Sequence, residues 1–240
     1  MIVYGRNPVR EALQGRRRHA VTEIWASGGA AKEPWLAGLP VRAASAEEIE
    51  ARCGSGAHQG ICADAGPYPY AGAAELLALD APLLMALDQV QDPQNLGSIC
   101  RTAECAGAAG VVIPERRSAE VTPAVCKASA GAVEHLRVAR VRNLADFLGE
   151  AAGAGFWSYG ASAEGDGRRE PVPYDRPDYA GSGVVLVLGS EGSGLRPRVA
   201  ASCDELIALP LRGRIGSLGV AAAAAALVYE ILQKRVDSSS

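Results

Sequence analysis

The sequence predicts an α/β fold in two parts: a small N-terminal α/β unit, then a larger unit with a mostly parallel sheet. Three observations carry this. Short continuous apolar runs at Leu83–Leu87, Val111–Ile113, Phe156–Tyr159, Val184–Leu188 and Leu206–Leu209 have the pattern of strands covered on both faces. Helical stretches separate them, at Leu96–Ala106, Pro123–Ala130, Asn143–Ala152 and from Leu218 to Lys234. A Pro- and Gly-rich stretch, Ala65–Gly72, marks the break between the two parts. The chain of 240 residues is long enough for one or two domains. The expected division is a small first domain at 1–66, a linker at 67–80 and a second domain at 81–240.

Within the first part, Asn7-Pro8 predicts an N-cap followed by proline at the first helical position, with the helix running to Gln14. Val21–Ala26 has strand character. Ser45-Ala46-Glu47-Glu48 is a capping-box pattern for a helix ending near Cys53-Gly54, and His58–Ala63 reads as a turn into a strand.

Composition narrows the function classes. The chain is 48% hydrophobic and 21% charged, ordinary globular values that exclude disorder, collagen and coiled coil. The net charge of −3 gives no global basic field, although a local patch suffices for phosphate binding. Lysine occurs only at Lys32, Lys127 and Lys234; the remaining basic residues are arginine, suited to bidentate phosphate contacts. Met1–Pro8 lacks the apolar core of a signal peptide. Leu218–Tyr229, the longest apolar run, is shorter than the roughly 20 residues of a membrane span. The six cysteines form no C-x-x-C pair and read as reduced, mostly buried side chains. His19, His58 and His135 are too scattered for a metal site. The expectation is a cytoplasmic protein with neither membrane nor metal partner.

Ligands of an open α/β sheet collect at the carboxyl ends of its strands, so the loops there come first. After the first strand of the second part comes Asp92-Pro93-Gln94-Asn95-Leu96-Gly97-Ser98-Ile99-Cys100-Arg101, with Asn95 placed as a helix cap and Arg101 more than a turn later. After Val184–Leu188 comes Gly189-Ser190-Glu191-Gly192-Ser193-Gly194-Leu195, a loop suited to close backbone approach to a nucleotide-like ligand. Its order is G-x-x-G-x-G, which disfavours a dinucleotide redox site, and no P-loop is present. The third block is Leu209–Val220, in which Ser217 either caps the last helix or places a hydroxyl in a site. Each block alone has a bland reading as a cap, a turn or a packing helix.

In this order, the three blocks resemble motifs of the SpoU (TrmH-like) family of RNA ribose 2′-O-methyltransferases. Asn95–Arg101 resembles its N-x-G-x-x-x-R, Gly189–Leu195 its G-x-E-x-x-G-L, and Pro210–Ala221 its P-x-x-x-x-x-x-S-L-N-V-S. Val3-Tyr4-Gly5 through His58-Gln59-Gly60-Ile61 is similar to the small RNA-binding domain of the family's RlmB-type branch. The resemblance implies a SPOUT-type parallel-sheet domain with a C-terminal trefoil knot, and S-adenosylmethionine held by backbone groups at Gly189, Leu209 and Leu218. Glu191 and Gly194 would shape that pocket. It further implies a homodimer through the last helix, and a catalytic set of Arg101, Asn95, Glu191 and Ser217. Arg6, Arg10, Arg16, Arg17 and Arg18 would form an RNA-contacting patch.

The implied reaction moves a methyl group from a sulfonium to a ribose 2′-hydroxyl, a poor nucleophile that needs positioning and help in losing its proton. A guanidinium is a reluctant base. Holding a phosphate and stabilising alkoxide charge fits Arg101 better, and the sequence leaves both roles open. The resemblance of the small domain to the RlmB-type branch implies a guanosine of large-subunit (23S) ribosomal RNA as target, with transfer RNA the alternative. One departure stands out. Ser217-Leu218-Gly219-Val220-Ala221 lacks the Asn and the second Ser of the family pattern, which leaves an impaired RNA-binding paralogue as a further alternative.

Overall fold

The computed structural model describes residues 1–237. They form two compact units: Met1–Pro69 joined by Glu120–Leu136, and Tyr70–Ala119 with the chain from Arg137 onward.

The first unit contains a four-stranded sheet of β1 (Ile2–Tyr4), β2 (Glu23–Ala26), β3 (Val41–Ala43) and β4 (Ile61–Asp64), ordered β1-β4-β2-β3. β4 runs antiparallel to both neighbours, and β2 and β3 are parallel. Helix α1 (Arg6–Gln14) begins two residues earlier than expected. Gly5 precedes it at φ 95°, and Asn7 lies inside the helix and makes no cap. Glycine suits this position because φ 95° is a conformation that L side chains rarely adopt. Helix α2 (Ala46–Cys53) has the full capping box: Ser45 Oγ accepts the Glu48 N–H, and the Glu48 carboxylate accepts the Ser45 N–H. Gly54 closes it in the left-handed region at φ 67°. Tyr4, Trp25, Ile49 and Cys62 pack together as a core.

Helix α3 (Ala73–Leu77) opens the second unit's main run. Its seven-stranded sheet is ordered β7-β6-β5-β10-β8-β11-β9, with every recorded pairing parallel. The strands are β5 (Leu83–Asp88), β6 (Gly110–Pro114), β7 (Arg137–Val141), β8 (Phe156–Ala161), β9 (Val172–Pro173), β10 (Gly183–Gly189) and β11 (Glu205–Ala208). Central β10 shows why continuous apolar runs work here: Val184 to Leu188 are each at most 1% exposed. Burying each such side chain stabilises by about 1.5–3 kcal/mol relative to exposure.

The connecting helices are α4 (Pro93–Cys105), α5 (Pro123–Ala128, in the first unit), α6 (Leu144–Gly153), α7 (Pro197–Ser202) and α8 (Val220–Asp237). α8 starts two residues later than the sequence suggested, and α4 packs against it. A core of Leu84, Ala86, Val112, Phe147, Val185, Val187 and Leu206 lies between the sheet and α6 and α7. Four of the six cysteines are buried and all are free. Burial pushes the thiols of Cys100, Cys126 and Cys203 up to about 12, which keeps them protonated and unreactive.

Candidate active site

The parallel strands deliver several predicted site residues to one place. At the carboxyl ends of β8, β10 and β11 lies a cavity of about 350 Å³. Its wall is built from Ala161 to Glu164 after β8, the glycine loop Gly189–Gly194 after β10, Leu209 after β11, Gly216–Val220, and α8 through Ala223 and Leu227. It therefore gathers Gly189, Glu191, Gly194, Leu209, Ser217 and Leu218.

Glycine geometry makes the second block a close cradle. Ser190 and Gly194 exchange backbone hydrogen bonds at 3.1 and 3.0 Å, closing the loop into a small ring, with Gly192 and Gly194 at φ 82° and 64°. A Cβ on Gly189 would fall 2.1 Å from the Gly194 carbonyl carbon, so glycine is required there. The loop ends at Arg196, whose backbone N–H donates to Asp88 Oδ2 at 2.8 Å and whose Nε donates to Oδ1 at 2.7 Å.

In the third block, Ser217 Oγ accepts the Gly219 N–H at 3.1 Å, forming a turn ahead of α8. The Gly219 carbonyl accepts the Ala223 N–H at 3.0 Å. Gly219 has φ 76°, and a Cβ placed on it would meet Glu191 Oε1 at 3.4 Å. The position where the family pattern has asparagine is therefore a left-handed turn facing Glu191.

Asn95 and Arg101 do not line this cavity. The expected Asn95 cap is wrong: Asp92 caps α4, its Oδ1 accepting the Gln94 N–H at 2.9 Å, with Pro93 at the first helical position. Asn95 is inside the first turn. Six residues separate it from Arg101, about 120° around the helix, so the two occupy different faces. Arg101 is exposed and shares a solvent-facing stripe with Gln94, Ser98 and Cys105.

The arginine patch of the first unit needs one correction. Arg17 is 1% exposed, and its guanidinium is spent inside the protein. It donates through Nε to Glu134 Oε2 at 2.9 Å, makes a second bond to Glu134 Oε1, and donates to the Gly66 carbonyl at 3.1 Å. Burial works against its charge, but the fully buried Glu134 more than offsets that and holds the pKa above the ordinary arginine value. Arg17 presents nothing to RNA. Arg6 pairs with Glu33 at 2.9 Å, and Arg10 with Glu11 at 2.8 Å. Arg16 and Arg18 are exposed without a side-chain partner among the described residues.

Sequence reasoning missed Glu164 on the cavity wall. The loop carrying it is anchored by Asp166 and Arg169, which bond to each other at 2.8 Å. Arg169 also donates to the carbonyls of Ala200, Cys203 and Asp204 at 2.8, 2.7 and 3.0 Å. A cation at these carbonyls complements the C-terminal end of α7. The hydrogen bonds from Arg169 hold the Asp166 carboxyl down to about 2. Among the described residues, no group of three or more His, Cys, Asp or Glu could hold a metal ion, and no helix is long and apolar enough to cross a membrane.

Residues 82–229 match the SpoU rRNA methylase family, and residues 2–71 match the RNA 2′-O ribose methyltransferase substrate-binding family. YacO of Bacillus subtilis (strain 168), named for the TrmH family of tRNA/rRNA methyltransferases, is 37% identical over 246 residues, covering 97% of this chain and 95% of the relative. The AdoMet-bound rRNA methyltransferase of Sinorhizobium meliloti superposes with a TM-score of 0.80 at 25% identity, over 97% of this chain and 86% of that one. The SpoU methyltransferase AviRb of Streptomyces viridochromogenes, in complex with AdoMet, shares the fold with a TM-score of 0.79 at 23% identity, covering 98% and 90% of the two chains. This chain belongs to the SpoU family of RNA methyltransferases, which uses S-adenosylmethionine as its methyl donor.

Proposed function

We propose that this methyltransferase modifies a ribose 2′-hydroxyl, at a guanosine of large-subunit (23S) ribosomal RNA, with the donor held in the cavity at the ends of β8, β10 and β11. The observation that carries the reading is the convergence of the second and third blocks on one cavity with a backbone-rich wall. The fit to the donor is good. The glycine cradle allows close approach of a flat, polar ligand, and the wall carries two carboxylates and no cation, as a sulfonium requires. When bound, S-adenosylmethionine supplies an electrophilic methyl group.

The protein's own residues have separable tasks in this reading. Backbone groups at Gly189, Leu209 and Leu218 bind the donor, with Gly194 and Glu191 shaping the pocket. Ser217 and Asn95 position the acceptor ribose. Arg101 holds the neighbouring phosphate and stabilises charge growing on the 2′-oxygen as its proton leaves. Arg6, Arg10, Arg16 and Arg18 contact RNA from the first unit.

The site is completed by a second copy of the chain. Two observations support this. Asn95 and Arg101 stand outside the cavity of their own chain, and α8 presents an exposed stripe of Ala222, Ala226, Tyr229, Gln233 and Val236. Leu218 continues it at 52% exposure, with Tyr229 at 48% and Val236 at 55%. Small residues at its centre permit close helix approach. The trefoil knot belongs to the same reading, as does a cytoplasmic location, where RNA is found. The test is transfer of a labelled methyl group to unmodified ribosomal RNA and, separately, to transfer RNA. Label in ribosomal RNA alone is the expected result, and label in transfer RNA alone would overturn the substrate.

A further inference from the structure

Within one copy of the chain, two carboxylates set the charge of the cavity wall. It contains Glu164 and Glu191, and no lysine, arginine or histidine. Neither carboxylate makes a side-chain hydrogen bond or ion pair among the described residues. Glu191 rides on the closed glycine loop. Glu164 rides on a loop whose position is built in, since Arg169 ties it to three carbonyls and to Asp166. Ser162 Oγ adds a bond to the Glu164 carbonyl at 2.7 Å. Arg212 and Arg214 are exposed on the neighbouring loop but do not line the wall.

Methyl transfer changes the charge of the molecule in this cavity. The S–CH₃ bond breaks, an O–CH₃ bond forms on the ribose, and the bonding electron pair returns to sulfur while the hydroxyl proton leaves. The sulfur begins as a cationic sulfonium and ends as a neutral thioether. The amino-acid ends of donor and product are identical, so the single positive charge is the electrostatic difference between them.

We propose that Glu164, together with Glu191, makes the cavity discriminate by charge between the sulfonium donor and the thioether product, so that binding weakens when the methyl group leaves. The proposal rests on the reading of this cavity as the donor site. Glu164 is a specificity-determining residue in it, and Arg169 is its positioning residue. Both carboxylates are exposed, so the effect is that of a screened pair. It is worth about a two- to fivefold change in affinity for each carboxylate.

Equilibrium binding of three ligands tests this: S-adenosylmethionine, S-adenosylhomocysteine, and sinefungin, which carries a protonated amine in place of the sulfonium. In the 240-residue chain, Glu164→Gln weakens the donor and sinefungin by about two- to fivefold and leaves S-adenosylhomocysteine unchanged. Raising ionic strength narrows the donor-to-product ratio in the natural protein and does so less in the variant. Equal weakening of all three ligands would show a structural role and overturn the proposal, as would no change in any. Arg169→Ala, which frees the loop, reduces the same ratio, and Arg169→Lys restores it in part. Ala223→Phe, which fills the cavity, separates the two levels of the argument. Loss of all three ligands keeps the cavity as the donor site, whereas binding as in the natural protein would overturn that reading itself.

Discussion

Asp88, fully buried at the carboxyl end of β5, holds Arg196 through both its backbone N–H and its side chain, at 2.8 and 2.7 Å. The register of the sheet gives this contact its purpose. Asp88 pairs with Gly189 across β5 and β10, so the residue flanking the start of the glycine loop also fixes its end. The loop that cradles the proposed donor is thereby anchored to the central strands at both ends. Asp88→Asn keeps the shape but removes the charge that pairs with Arg196. The expected outcome is a stable protein with at least fivefold weaker S-adenosylmethionine binding, by about 1 kcal/mol or more for a lost charged hydrogen bond. Unchanged affinity would show that the loop holds itself.

Arg101 stands apart from the cavity, on the exposed stripe of α4. Its removal therefore separates binding from chemistry. Arg101→Ala is expected to lower methyl transfer by about 10²-fold or more while leaving donor affinity within twofold. A fully active variant would contradict its assignment.

Gly219 offers a gain-of-function test. Its φ of 76° suits asparagine better than most residues, and a side chain there would touch Glu191. Gly219→Asn restores the family residue and is expected to raise the transfer rate, by up to about 10²-fold if the amide orients a reacting group. Gly219→Ala is expected to destabilise by about 1 kcal/mol, because alanine pays for the left-handed turn without supplying the amide. A slower Asn variant would mean this chain has adapted its site to glycine.

The buried Arg17–Glu134 pair gives the clearest stability prediction. Glu134→Gln leaves a guanidinium without its counter-charge in a site with 1% exposure at Arg17 and none at Glu134. The expected loss is about 3–5 kcal/mol in urea denaturation. A loss below about 1 kcal/mol would mean that water reaches the site.

Asp166 predicts an acid dependence of the anchored loop. Its carboxyl is held at about 2 against an ordinary 3.8, chiefly by the hydrogen bonds from Arg169. The lowered value places the stabilisation fully above pH 3.8, and it is lost as the pH falls toward 2. The stability gap between the natural protein and Asp166→Asn should therefore be constant from pH 7 to 5 and close at lower pH. A gap that closes between pH 7 and 5 would implicate another group.

Much of the second unit was legible because burial on both faces leaves a simple mark. β5, β6 and β10 are uninterrupted apolar runs. β7 escaped notice because it is an edge strand, and Arg137 and Arg140 break its pattern. β9, with two residues, carries no pattern at all. The Ser45 capping box was readable because its partners lie three residues apart. The α4 cap was misplaced because Asp92-Pro93 performs the task three residues before Asn95. Arg17 resembled its exposed neighbours in sequence, and only folding brings it to Glu134, 117 positions later. For the same reason the place of Glu164 was out of reach: it reaches the cavity only because Arg169 finds carbonyls at the end of α7.

The central claim is methylation of ribose oxygen, and alkaline hydrolysis of RNA labelled by this enzyme tests it most directly. Alkali cleaves RNA through the 2′-hydroxyl, so a methylated ribose protects the bond beside it. The account predicts label in an alkali-stable dinucleotide containing guanosine, from ribosomal RNA. Label released in mononucleotides would place the methyl group on a base and contradict the account.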